Sequence, residues 1–490
     1  MTAEGANRDG TAGPSIAVIG GGISGLAAAH RLREICPSAR VTVLESSQRF
    51  GGVLETRETA GCLWETSADN FITNVPAGVG LCRRLGLEPE LLDTLPIGRQ
   101  AYVVRRGGLM PIPRGFALLQ PTQWRSIATT RILSPLGKLR LAAERFVPPR
   151  REASDESLAS FAIRRLGRET FERLVQPLVG GIYTADPARL SMQATLPRFL
   201  EMEWKFGSLT RAAQGEQHAE QEAHGARYQL FTALREGMSQ LVAKLVERLS
   251  GCELSLGARV SGLAPNAGGG WQIELGSHRS VFDGVILATP APIASTLVRL
   301  FDADLSDKLS RIEQAGCLIA VAAYARDDCP GLPAGAGFVV PEIERRKIIA
   351  CSFSSQKFAG RAPEDLVLLR VFLGGAQHPE VASWDDQEVK RVVASELQML
   401  LGLRGEAKFC EIVRWQGAMP QYHVGHVGLV DAIEGTAARW PGFALAGNAY
   451  RGVGIPHCIA SGERAAERVL EGLPGCSSEL NDSINRRTGP

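Results

Sequence analysis

The chain has no long apolar run. Nowhere in its 490 residues do about 20 apolar residues follow one another, the length a bilayer-spanning helix needs, so any membrane contact is expected to be peripheral. The opening "MTAEGANRDGTAGP" lacks the apolar segment of a secretory signal. Residues 1–13, and 474–490 at the other end, are expected to be flexible tails. Ten cysteines are scattered from Cys36 to Cys476 without a CxxC pair, which argues against a disulfide framework or a zinc site and for reduced core thiols in a cytoplasmic protein. Charge of one sign is lacking too. A formal net charge of +2 gives no reason to expect nucleic acid as a partner. His218 and His224 lie in the polar stretch "QGEQHAEQEAHGA" without the spacing of a known metal site, and they read as part of a solvated loop.

What is present is an ordinary globular composition, 44% hydrophobic and 22% charged, long enough for a large core. The stretch "IAVIGGGISGLAAAHRL" carries the first chemical signal. Residues 16–19 are apolar and β-branched, as a buried parallel strand requires. Gly20, Gly22 and Gly25 follow at GxGxxG spacing, and a helix begins at once. Gly20 permits a tight turn, Gly22 lets backbone approach a pyrophosphate, and Gly25 lets helix and strand pack closely. The helix N-terminus, with Gly21, Ile23 and Ser24 beside it, offers free N–H groups to phosphate. A second strand, "ARVTVLE", ends in Glu45, twenty residues after Gly25. Glu45 is placed to accept hydrogen bonds from an adenosine ribose, and its charge disfavours a 2′-phosphate.

Further along, "GLCRRLGLEPELL" reads as a helix and turn, and "AYVVRRGGLMPIP" as a hairpin with a Gly-Gly turn. Residues 120–209 read as mostly helical, with Ser154 or Asp155 capping the helix in "SDESLASFAIRRLGRETFERLV". "LFTALREGMSQLVAKLVERL" reads as a helix, "FDGVILATP" as a return to the first sheet, and residues 314–415 as a second sheet with one or two helices. "GFALAGNAYRGVGIPHCIASGERAAERVL" repeats the opening logic of strand, glycines and helix N-terminus, so the helix end from Ile455 to Cys458 presents N–H groups and a positive dipole to a cofactor.

Glu45, Arg49, Gly51 and Gly52 resemble the extended fingerprint of FAD-dependent oxidases related to the amine oxidases. With "SLASFAIRRLG", "GGIYTADPARLSM", "RWQGAMPQYHVGH" and "LAGNAYRGVGIPHCIASG" added, the chain resembles the oxygen-dependent, FAD-containing protoporphyrinogen and coproporphyrinogen oxidase family over nearly its whole length. The resemblance implies FAD contacts at Gly20, Gly21, Gly22, Ile23, Ser24, Gly25, Glu45, Ser46, Arg49, Gly52 and Val53. It implies more at Ser67, Ala68, Asp69, Asn70, Val260, Asn448, Val453, Gly454 and Ile455. Where the family usually has Gly-Pro, this chain has Ser67-Ala68. Gly181 matches a glycine near the substrate, with a helix cap as its plain structural reading. Arg99 is the nearest candidate for a propionate-binding arginine, although its spacing to Pro113 needs a gap. No metal is implied for His423 and His426 of "HVGH". Cys458 suggests a flavin thioether, but covalent amine oxidases carry a different local sequence there, so noncovalent FAD is expected.

The implied fold is α/β: a discontinuous Rossmann-like FAD-binding domain (14–85, 228–295, 431–473), a mixed-sheet substrate domain (hairpin 86–119 and sheet 296–430), a helical insertion (120–209) and a polar loop (210–227). The implied reaction is oxidation of a porphyrinogen to a porphyrin, with O2 as acceptor and hydrogen peroxide as product, in haem biosynthesis. FAD carries the chemistry, so no catalytic side chain is assigned, and the site is expected to be an elongated apolar cleft with a basic residue for propionates. An amine or polyamine oxidase, and a non-enzymatic binder on the same fold, remain alternatives. The resemblance leaves open protoporphyrinogen or coproporphyrinogen as substrate, a homodimer, hand-over to the next enzyme of haem synthesis, and peripheral contact with the inner face of the cell membrane.

Overall fold

The computed structural model describes residues 13–152, 154–213 and 230–473. His218, His224, residues 1–12 and residues 474–490 lie outside the described residues. Strand Ser15–Ile19 stands at the centre of a five-stranded parallel sheet, ordered Glu253–Ser255, Arg40–Leu44, Ser15–Ile19, Gly284–Leu287, Phe443–Leu445. Its strands come from distant parts of the sequence, so the nucleotide-binding layer is discontinuous. Both faces are covered, which explains the unbroken apolar runs. Ile16 and Val18 pack beneath helices Ile23–Ile35 and Ile455–Glu471, while Ala17 and Ile19 face a cluster around Trp271. Strand order reverses beside Ser15–Ile19, and ligands of such sheets settle in the crevice at that point.

A second, seven-stranded mixed sheet runs Phe409–Pro420, Gln314–Ala325, Leu366–Gly374, Ala350–Phe353, Gly337–Val339, Ala101–Arg105, Gly108–Pro111. One face lies on helix Asp386–Leu401 through Leu318, Leu369 and Val371. The other carries Ile319, Val321 and Leu368 against Cys62 and Trp64 of the hairpin Thr56–Thr59 and Cys62–Glu65. Val103 and Val339 on that same face join the core of the helical segment. This second face therefore looks toward the nucleotide-binding layer, and alternation along each strand decides which residues it displays.

Three local expectations are corrected. Residues 231–234 form a strand rather than the start of a helix, because they pair with both Phe71–Ile72 and Leu91–Asp93. Gly237 at φ +83° then turns the chain into helix Ser239–Arg248. Ser157, not Ser154 or Asp155, caps helix Leu158–Leu166 through Ser160 N–H. Asp155 instead accepts from Ser191 Oγ and from the N–H of Gln193 and Gly425, tying the helical segment to the C-terminal part of the chain. The hairpin turn is Arg106-Gly107, both at positive φ, and Gly108 already belongs to the strand.

Candidate functional site

The first strand ends at Gly20, whose φ of +106° and tight fit against the Ala288 carbonyl admit no side chain. A Cβ on Gly25 would stand 1.9 Å from the Gly20 oxygen, so this glycine sets how closely helix and strand pack. Gly22 differs: a Cβ there would meet only Gly52 Cα, at 3.9 Å. Gly22 and Gly51 form a parallel bridge, and Gly51 N–H donates to Gly21 C=O at 2.8 Å. Two glycine loops thus lie side by side at the N-terminus of Ile23–Ile35, leaving room above them for a phosphate. Glu45 is buried, and its carboxylate accepts from Gly21 N–H and Ser47 N–H, each at 2.7 Å. Arg49 donates to the carbonyls of Phe50, Gly52 and Leu54, so its guanidinium shapes the second glycine loop. Val260 follows a segment whose Gly257 and Ala258 N–H groups donate to Ser47 and Glu45 carbonyls. Thr289 was not foreseen. Its methyl lies against the position of a Gly20 Cβ, and its hydroxyl has no partner among the described residues. The only sequence signal was its place at the end of "VILATP".

Residues 66–69 form the next wall. Trp415 Nε1–H donates to Thr66 C=O at 2.7 Å, and Arg370 donates to Ser67 C=O. Asp69 lies 3.2 Å from both Lys357 Nζ and an Arg370 nitrogen. Burial works to raise the Asp69 carboxyl, but Lys357 and Arg370 outweigh it and hold the group well below the usual carboxylate range. The second sheet therefore fixes the loop that carries Ser67-Ala68. Two cations share one carboxylate here, and neither was singled out from the sequence.

The C-terminal loop, residues 447–454, is held from several sides. Asn448 Nδ2–H donates to Ala418 C=O at 3.2 Å, and Gly447 N–H to Ser461 Oγ at 3.0 Å. Tyr422 O–H donates to Asn448 C=O at 2.5 Å and accepts from Gly452 N–H at 2.8 Å. His426 stacks on Tyr422 and lies 3.0 Å from Tyr450 C=O, which assigns its proton to Nε2. Burial pushes its pKa down to about 4, so it stays neutral. "HVGH" is thus a structural brace: His423 turns to Arg189 and Glu313 while His426 holds the loop. The brace presents Val453, Gly454 and Ile455 at the start of Ile455–Glu471. Removing the hydroxyl in Tyr422→Phe leaves the Asn448 carbonyl and the Gly452 N–H without this partner, worth about 1–3 kcal/mol each. Part of that loss falls on the bound state, so FAD dissociation is expected to rise about tenfold. Flavin fluorescence titration checks this, and an unchanged affinity removes the brace from cofactor binding.

Between these walls the second sheet displays a row of directly opposed residues: Val103, Val339, Ala350, Phe372, Ile319 and Val413. Val339, Ala350, Phe372 and Val413 are only half-buried. The row crosses six strands, about 24 Å at ordinary strand spacing, and carries no polar side chain. Gly181 sits inside helix Gln176–Tyr183 rather than capping it, with Val339 Cγ1 3.9 Å from where its Cβ would be, and it lines a small cavity with Thr184 and Ile349. Arg99 closes the turn Pro96–Arg99, next to Lys357 through Leu95 N–H to Lys357 C=O, at the end of the sheet where Ala101–Arg105 begins. Cys458 is buried in the core beneath the opening helix, and burial pushes its thiol up to about 11, far from the ionised form a thioether bond would draw on.

Residues 23–470 match the family described as Flavin containing amine oxidoreductase. The chain is similar to coproporphyrinogen III oxidase of Staphylococcus aureus, 30% identical over 94% of this chain and 99% of that one. It is 31% identical to coproporphyrinogen III oxidase of Propionibacterium freudenreichii over 93% and 90%. Protoporphyrinogen oxidase 2 of Arabidopsis thaliana is 29% identical over 96% and 97%. In structure, the chain matches a crystal structure from Exiguobacterium sp. 255-15 with a TM-score of 0.83 and 28% identity, over 96% of this chain and 99% of that one. Cyclohexylamine oxidase of Brevibacterium oxydans shares the fold, with a TM-score of 0.68 at 15% identity over 96% and 99%.

Proposed function

The chain belongs to the flavin containing amine oxidoreductase family, and from that premise we propose that it oxidises a porphyrinogen to a porphyrin in haem biosynthesis, with FAD as its cofactor and O2 as acceptor. The relatives named coproporphyrinogen III oxidase and protoporphyrinogen oxidase support this reading over an amine oxidase. The observation that carries it is the likeness over 93–96% of this chain to relatives so named. Bound FAD supplies the hydride acceptance and reoxidation by O2 that the reaction demands.

The paired glycine loops fit a pyrophosphate because Gly22 and Gly52 face each other without side chains. Glu45, Ser46, Arg49 and Val53 build the ribose and phosphate end. Ser67, Ala68, Asp69 and Asn70, held by Arg370 and Trp415, form one wall of the flavin site. Asn448, Val453, Gly454 and Ile455 form another, at a helix N-terminus that favours negative charge. The half-buried members of the row, Val339, Ala350, Phe372 and Val413, face the macrocycle and exclude water, and Gly181 gives it room at one end. Arg99 receives a substrate carboxylate. The division into an FAD-binding domain, a substrate domain and a helical insertion follows the same reading. Anaerobic flavin reduction by coproporphyrinogen or protoporphyrinogen, followed by peroxide release in air, tests it. Bleaching by polyamines or monoamines but by neither porphyrinogen would overturn it.

No helix among the described residues is long and apolar enough to cross a membrane. The helical segment nevertheless exposes Leu136 (77%), Leu139 (66%), Phe146 (71%) and Trp204 (80%), with Lys138, Arg145 and Lys205 among them. Exposed apolar side chains with cations beside them in the sequence suit peripheral contact with anionic lipid. Vesicles containing anionic lipid are expected to co-sediment the protein at low salt, and Phe146→Ser with Trp204→Ser to abolish this. Absence of binding at low salt rejects membrane contact.

A further inference from the structure

A second cavity, of about 320 Å³, opens where the strands of the seven-stranded sheet end against residues 186–189. It borders the face that carries the apolar row. Gly374, Cys317 and Trp415 are mutually opposed in the next row along that face, and all three line it. Its wall is polar, unlike the row. Arg189 grips Glu313 with two nitrogens, at 3.1 and 2.6 Å, and a third contact joins Arg189 to His423 Nδ1 at 3.1 Å. Both members of the pair are about half exposed. Gln421 also lines the cavity. It is 4% exposed, and its Oε1 has no partner among the described residues.

Resting on the porphyrinogen reading, we infer that Arg189 is a carboxylate-binding subsite at the mouth of the cleft, and that Glu313 occupies it as an internal stand-in until a substrate carboxylate displaces it. The geometry is that of a replaceable ligand. A guanidinium fork takes any planar carboxylate in the same two-bond manner, and an exposed ion pair contributes little stability of its own, so exchange is nearly neutral. Arg99 stands on the far side of the sheet, just before strand Ala101–Arg105. Four strand spacings, about 19 Å, separate that strand from Gln314–Ala325, whose first residues line the cavity. Cations at both ends suit a macrocycle with carboxylates on opposite sides. Coproporphyrinogen carries four propionates around its ring, whereas protoporphyrinogen carries two on one side and vinyls on the other. The Arg189 subsite therefore selects the tetracarboxylate.

The test compares holoenzymes carrying Arg189→Gln and Glu313→Gln with the parent. Three readouts are needed: kcat and KM on both porphyrinogens, binding of the unreactive product coproporphyrin III by fluorescence quenching, and the thermal midpoint as a check on folding. Arg189→Gln is expected to raise KM for coproporphyrinogen and to lower the coproporphyrinogen to protoporphyrinogen ratio of kcat/KM by about tenfold, the value of one charge-assisted hydrogen bond. Glu313→Gln has the opposite sign. With the competitor weakened, coproporphyrin binds several-fold more tightly. A purely structural ion pair predicts that both substitutions weaken binding, so looser binding in Glu313→Gln overturns the inference. An unchanged substrate ratio in Arg189→Gln, while the parent oxidises porphyrinogens, overturns it and leaves the functional reading standing. A parent whose flavin neither porphyrinogen reduces overturns both.

Discussion

Gly22→Val is expected to give a folded protein without flavin. The two halves of that outcome have separate causes. Gly22 has an extended backbone, φ −73° and ψ 178°, which valine adopts without strain. A Cβ there meets no atom nearer than Gly52 Cα at 3.9 Å, so the fold has no reason to fail. The space the branched side chain would fill is the space between two glycine loops and over the N-terminus of Ile23–Ile35. If the FAD pyrophosphate lies there, as proposed, it is shut out. Gly25→Val is the matched control with the opposite failure. Its Cβ would collide with the Gly20 oxygen at 1.9 Å, and the protein is expected to unfold at lower temperature whether or not FAD is present. Flavin absorbance and thermal unfolding of the two purified variants separate the cases. A Gly22→Val protein that retains full flavin content means that the cofactor does not pass over this loop.

Much of the nucleotide-binding layer was legible because its signals are local. A β-branched run, glycines at fixed offsets and a helix begin within ten residues of Ile16, and the C-terminal segment repeats them. The parallel sheet needs only such segments and their burial. What was illegible depends on distant partners. Residues 231–234 have the composition of a helix start, and only pairing with two other strands makes them extended. Asp155 looks like a cap until Ser191 and Gly425 claim its carboxylate. Arg370 and Lys357 look like ordinary charges in strand and helix until Asp69, nearly 300 residues earlier, brings them together. "HVGH" has ligand-like spacing, yet its two rings serve different neighbours, one of them a carbonyl that no side-chain pattern encodes. The site's apolar floor was expected from chemistry alone. Its six residues come from six strands, and register, not sequence, aligns them.

Arg165→Met is expected to loosen the helical segment by about 3–5 kcal/mol, the range for removing one partner of a buried ion pair. Arg165 is fully buried between two carboxylates, Glu144 and Glu203, and donates to Val147 C=O at 2.8 Å and Gly207 C=O at 3.0 Å. Glu144 keeps Ser208 Oγ and the N–H groups of Leu209 and Thr210. These hold its charge but do not cancel it. The two carbonyls that Arg165 binds belong to the residues just after Phe146 and Phe206, so one guanidinium fixes the backbone beside Phe146, an exposed aromatic of the proposed lipid-contacting surface. The consequence should be regional. Limited proteolysis is expected to cut between residues 143 and 208 at temperatures where the parent resists. Binding to anionic vesicles should fall with it, while the flavin stays bound in the other layer. Glu144→Gln added to Arg165→Met removes the uncompensated charge and is expected to restore part of the resistance. Without that recovery, the loss in Arg165→Met comes from broken carbonyl contacts and packing rather than from the stranded carboxylate. A single variant as resistant as the parent removes Arg165 from the support of this surface altogether.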